Sequence, residues 1–123
     1  MRYFITIKNW NSNYPNPIKL KKNETVEIVK KENNNPDWKG WIFCKNSKSS
    51  GWVPEQIINK IENNKGLIKE NYSAKEININ GGERVIGLKE LNGWIWVKKK
   101  IDDNEGWLPN EILKEITQKE YNL

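Results

Sequence analysis

The sequence predicts an all-β protein of two tandem small domains, each a β-barrel or sandwich. Three observations carry that expectation: a phrase written twice, a period of two in the apolar residues of each copy, and turn-forming residues closely spaced between them. The phrase is GWVPEQII at 51–58 and GWLPNEIL at 106–113, with a tryptophan and a proline two residues apart each time. Upstream, YPNPIKLKKNETVEIVK (14–30) parallels YSAKEININGGERVIGLK (72–89), and KGWIFC (39–44) parallels NGWIWV (92–97). Three blocks kept in order and approximate spacing mark a duplicated unit.

Along the chain, MRYFITIKNW opens as a strand. Ile18 and Leu20 alternate with polar neighbours, as do Ile77 and Ile79 in the second copy and Val26 and Ile28 in the first. This period of two turns one face inward and one outward, and none of the blocks sustains the 3.6-residue period of a helix. The matched positions are Ile18 with Ile77, Leu20 with Ile79, Glu24 with Glu83, Val26 with Val85, and Val29 with Leu88. Breakers separate the blocks: Asn33-Asn34-Asn35-Pro36, Gly81-Gly82, Asn92-Gly93, and polar runs at 46–50 and 102–105. Only Gln56 to Ile61 suits a single helical turn. At 123 residues the chain holds two domains at the small end of the size range. The expected division is 1–60, a short linker at 61–65, 66–117, and a frayed tail at 118–123.

Seven tryptophans exclude a disordered chain despite the high charge. The single cysteine, Cys44, excludes an internal disulfide framework. It aligns with Val97, so a buried, inert thiol is expected. With no histidine and no GxSxG, HExxH or glycine-rich phosphate loop, the usual catalytic constellations are missing, and the chain is read as a non-enzyme without cofactor or metal. No apolar run reaches the length of a membrane span. No charged n-region with an apolar h-region opens the chain, so a cytoplasmic location is expected.

The net charge of +5 is unevenly placed: residues 1–62 carry 11 basic against 6 acidic side chains, and 63–123 carry 10 against 10. Lys19, Lys21, Lys22, Lys30 and Lys31 form a candidate strip for nucleic acid or another polyanion. Lys98-Lys99-Lys100 faces Asp102, Asp103 and Glu105 across a turn and is expected to be internally balanced.

The residues EININGGERV (76–85), GWI before a small core residue (Cys44, Val97), and GWVPEQII resemble the Src homology 3 (SH3) pattern, over roughly 3–60 and 66–117. More narrowly, the chain is similar to bacterial variant SH3 domains found as tandem pairs. The resemblance implies two SH3-like small β-barrels and a groove of aromatic residues and proline that receives a protein or peptide ligand, in particular a proline-rich one in the polyproline II conformation. Carried over by position, it implies Tyr14, Trp41, Trp52 and Pro54 in one groove and Tyr72, Trp94, Trp107 and Pro109 in the other. Cys44 and Val97 point inward, so Trp41 and Trp94, three residues earlier, are expected to face outward. Trp38 and Trp96 are expected to pack in the core or at a sheet edge. The acidic cluster beside the groove is reduced to Glu76, whose place in the first copy is taken by Pro17. Cell-wall peptide binding is a further alternative that the resemblance raises, and the sequence leaves the oligomeric state open.

Overall fold

The computed structural model describes residues 1–12, 16–30 and 40–123. Over these residues the chain is all-β, in SH3-like five-stranded arrangements. The strands are β1 (Arg2–Thr6), β2 (Lys19–Leu20), β3 (Thr25–Lys30), β4 (Trp41–Lys45), β5 (Ser50–Pro54), β6 (Ile58–Ile61), β7 (Lys65–Ile68), β8 (Tyr72–Ser73), β9 (Arg84–Leu91), β10 (Trp94–Lys99), β11 (Glu105–Pro109) and β12 (Leu113–Ile116). A 3-10 turn links β5 to β6 at Glu55–Ile57 and another links β11 to β12 at Asn110–Ile112. The helical turn expected at Gln56 to Ile61 is corrected: only Gln56 and Ile57 fall in the first 3-10 turn, and Ile58–Ile61 is strand β6.

The strands fall into two compact units. A continuous unit covers Pro15–Lys75; a discontinuous one joins Met1–Tyr14 to Glu76–Leu123. In the continuous unit the sheet order is β5-β4-β3-β7-β6, with β2 and β8 as a separate ribbon; in the discontinuous unit it is β11-β10-β9-β1-β12.

This corrects the expected division at 1–60 and 66–117. β1 lies between β9 and β12, with Phe4 opposite Val85 on one side and Glu115 on the other. β7 takes the equivalent place in the continuous unit, with Gly66 opposite Val26 and Lys60. Each unit thus combines the first strand of one repeat with the remaining strands of the other. The physical reason begins in the expected linker at 61–65, which is a hairpin. Ile61 pairs with Lys65, and the turn between them holds Asn63 and Asn64 at φ of 63° and 57°. Asparagine tolerates the left-handed region, so the chain reverses tightly and lays β7 directly against β6.

The inward face follows the sequence reading. Ile18, Leu20, Val26, Ile42 and Cys44 are buried, as are their counterparts Ile77, Ile79, Val85, Ile95 and Val97. In the discontinuous unit, Phe4 packs in one cluster with Ile77, Ile79, Val85, Ile95, Val97, Leu108 and Ile112. Val29 and Leu88 are exposed. The register shifts at both positions, and the extra residue of such a bulge stands outside the ladder.

The expected fraying of the tail is also corrected. Thr117 caps a short helix, α1 (Gln118–Tyr121): its hydroxyl accepts from the Glu120 N–H at 3.1 Å, and the Glu120 carboxylate accepts from the Thr117 N–H at 3.1 Å. This reciprocal box satisfies two donors that a helix start otherwise leaves open. Tyr121 then packs on Tyr3 with ring centroids 4.9 Å apart.

Cys44 is fully buried, and desolvation pushes its thiol up to about 12. A buried neutral thiol presents no thiolate to reagents. At pH 8 the folded protein is expected to resist a colorimetric thiol reagent and to react stoichiometrically in guanidinium. Rapid labelling of the folded chain would contradict the burial.

Candidate functional site

In the discontinuous unit, β10 and β11 set the site. Alternation sends Ile95, Val97 and Leu108 into the core and places Trp94, Trp96, Trp107 and Pro109 on the opposite face. The register puts Trp94 opposite Pro109 and Trp96 opposite Trp107. The Trp96 and Trp107 rings meet edge to face at 5.4 Å, the favoured aromatic geometry.

The chain's opening segment supplies the third side of this surface. Trp10 and Ile79 exchange backbone hydrogen bonds at 2.8 and 2.9 Å. That pairing sets the Trp10 ring edge-on to Trp94, 5.8 Å away. The Trp10 indole N–H donates to Glu76 Oε1 at 2.9 Å, while Glu76 bridges to Trp107 through the backbone. Trp10, Trp94 and Trp96 are half-buried; Trp107 and Pro109 are buried beneath them. The result is a strip of indole surface with two carboxylates beside it, Glu76 at Trp10 and Glu105 at Trp96.

Burial pushes the Glu76 carboxyl above the usual carboxylate range, and the Trp10 N–H offsets part of that by stabilising the charged form. A folded-state pKa raised above the unfolded one gives a stability contribution that is full below the unfolded value. It is lost as pH rises through the folded value. Glu76→Gln keeps an acceptor for Trp10 and removes the half-buried charge. The variant is therefore expected to be more stable than the parent near pH 7, with the difference vanishing in acid, as read by urea unfolding at both pH values. A pH-independent difference would contradict this.

In the continuous unit, Trp41 stands opposite Pro54 and Phe43 opposite Trp52, whose rings meet edge to face at 5.1 Å. Tyr72 pairs with Leu20, and its O–H donates to the Trp52 carbonyl at 3.1 Å. The expected outward exposure of Trp41 is corrected. It does lie on the side opposite Ile42 and Cys44, yet it is only 6% exposed; Tyr72 is 9% exposed and Pro54 is buried, leaving Trp52 half-buried. Alternation decides which side of a sheet a residue takes, not whether that side meets solvent.

The expected grouping also changes. Tyr72 joins Trp52 and Pro54, not Trp94, and Tyr14 lies outside the described residues, as does Trp38. The counterpart of Tyr72 is Trp10: one pairs with Leu20, the other with Ile79, and those two positions are matched. Matching tyrosine to tyrosine by type concealed it, and a register for the opening strand would have been needed to find it. Trp96 is half-buried, with its indole N–H donating to Glu105 Oε1 at 2.9 Å.

Of the basic residues, Lys19, Lys21 and Lys22 are exposed in the continuous unit; the Lys30 side chain and Lys31 lie outside the described residues. Lys98 pairs with Asp103 at 3.8 Å, and Lys99 with Asp102 and Glu83 at 3.6 Å each. The internal balance expected there holds for those two lysines, whereas Lys100 donates to the Tyr121 carbonyl.

Residues 3–61 match the family of variant SH3 domains. A stretch of 52 residues is 40% identical to myosin-1 of Aspergillus clavatus, covering 41% of this chain and 4% of that protein. The chain thus spans a small fraction of that relative's length. The matched residues 3–61 run through both structural units, since β1 belongs to the discontinuous one and β2 to β6 belong to the continuous one.

Proposed function

We propose that the protein is a non-catalytic module that binds a protein or peptide, and that the indole strip of the discontinuous unit is its contact surface. The observation that carries this reading is the carboxylate of Glu76 set beside the Trp10–Trp94 pair. A polyproline II segment is ordered before it binds, so an aromatic surface gains contact with its rings at little entropic cost. A carboxylate beside that surface suits a lysine or arginine flanking the prolines. The continuous unit is the weaker candidate, because Trp41 is covered and Pro17 stands where Glu76 stands in the other unit.

Calorimetric titration of the full chain with a proline-rich peptide carrying one lysine tests this. Trp94→Ala is expected to lower affinity by roughly 30-fold, in the range of about 2 kcal/mol for an aromatic hot spot, without loss of the folded state. Trp52→Ala is expected to leave affinity unchanged. Equal losses from both, or no heat with the parent chain, would refute the assignment. Polyanion binding has one observation in its favour, the exposure of Lys19, Lys21 and Lys22. It would appear as binding that falls steeply with salt and ignores Trp94→Ala.

A further inference from the structure

The two first strands sit in seats with the same backbone pattern. Thr6 N–H donates to the Glu83 carbonyl and the Thr6 carbonyl accepts from Gly82 N–H; Ile68 N–H donates to the Glu24 carbonyl and the Ile68 carbonyl accepts from Asn23 N–H. Glu83 and Glu24 are matched positions, so main-chain bonding does not distinguish one strand from the other. Side chains must.

Counting from Val85 and Val26, Phe4 and Gly66 occupy the same place in their seats, and so do Gly87 and Ile28 in the facing strands. The sizes are reciprocal. Phe4 lies over Gly87, where an added Cβ would stand 2.7 Å from its ring. Gly66 lies under Ile28 and Ile58, where an added Cβ would stand 3.6 Å from Ile28 Cδ1 and 2.5 Å from Ile58 Cγ2. Joining each first strand to its own repeat would press Phe4 against Ile28 and leave Gly66 facing Gly87. One seat would be overfilled and the other hollow.

Charge points the same way. Arg2 reaches Glu90 at 2.8 Å and Glu115 at 3.3 Å. The position matching Glu115 in the continuous unit is Lys60, which stands opposite Gly66 as Glu115 stands opposite Phe4. In its own repeat Arg2 would meet a like charge.

We infer that the two first strands are not interchangeable: β1 is specific for the seat between β9 and β12, and β7 for the seat between β3 and β6, through a reciprocal large-to-small code reinforced by the charge of Arg2. The code selects the exchanged pairing over the contiguous one that the repeat pattern equally allows, and it makes the seat between β9 and β12 a binding site for an Arg-x-Phe-x-Thr strand.

The test uses the full chain in a Cys44→Val background. Ile5 is the register partner of Lys114, whereas its counterpart Leu67 pairs with Asn59. The monomeric Ile5→Cys/Lys114→Cys variant is expected to cross-link on mild oxidation, and Ile5→Cys/Asn59→Cys to remain reduced. Adding Phe4→Gly with Gly66→Phe is expected to reverse that preference. An interchanged chain that still cross-links 5 to 114 at the parent yield would overturn the code. A thermal series decides the matter if the interchanged chain does not fold. Gly87→Ile is expected to lower the melting midpoint and Phe4→Gly in the same chain to recover at least half of the loss; additive losses would overturn the proposal.

Discussion

Deleting residues 1–7 is expected to unfold residues 76–123, at the far end of the chain, and to leave 15–75 folded. β1 is an interior strand of its sheet, paired with β9 on one side and β12 on the other, so its loss opens two ladders at once. It also removes Phe4, a member of the core cluster, and Thr6, whose buried hydroxyl donates to the Asn80 carbonyl at 2.6 Å and accepts from the Glu83 N–H at 3.0 Å. Truncating a buried phenylalanine alone costs about 3–5 kcal/mol. The total stability of a small domain is about 5–15 kcal/mol, so losing the whole strand exceeds what the unit can absorb. Amide hydrogen exchange is expected to show lost protection in β9 to β12 and retained protection in β3 to β7. Lost protection in β3 to β6 instead would mean that the first strand belongs to its own repeat.

The second large effect is expected at Gly66. Valine there places a Cβ 2.5 Å from Ile58 Cγ2, a distance that real Cβ contacts do not reach, with Ile28 and Val26 at 3.6 Å behind it. Because β7 runs between β3 and β6, neither neighbour can yield without disturbing a ladder. Overfilling a packed site costs about 1–3 kcal/mol, and the γ-methyls of valine place Gly66→Val at the upper end. Urea unfolding followed by amide exchange is expected to locate the loss in the continuous unit. A stability within about 0.5 kcal/mol of the parent, the usual range for surface changes, would show that the site is looser than its geometry.

The inward faces were legible because period-two alternation is a property of side-chain chemistry and needs no partner. Ile18, Leu20, Ile77 and Ile79 all point where the alternation sends them, and Cys44 is buried where its alignment with Val97 places it. Strand partners were not legible. Two repeats with the same backbone pattern offer the same hydrogen bonds to either first strand, so contiguous and exchanged pairings have one signature at the level of periodicity. What separates them is Phe4 against Gly66 and a turn at Asn63-Asn64, and these acquire meaning only once a register is known. Trp10 escaped notice for the same reason. Its partners Glu76 and Trp94 lie 66 and 84 positions away, beyond any local pattern. The capped tail is a different case: Thr117-x-x-Glu120 is a readable helix start, obscured by its position at a chain end.

A binding surface built by Trp10 and Trp94 together is the central claim, and an indole and amide NMR titration of the full chain tests it most directly. The ligands are a lysine-flanked proline-rich peptide, a peptidoglycan stem peptide and a short single-stranded oligonucleotide. With the proline-rich peptide the Trp10 and Trp94 indole resonances are expected to shift in concert with the Glu76 amide, while Trp41 stays still. Shifts confined to Lys19, Lys21 and Lys22 with the oligonucleotide, abolished by salt, would contradict the claim, as would a Trp52 response without Trp94 or silence toward the proline-rich peptide.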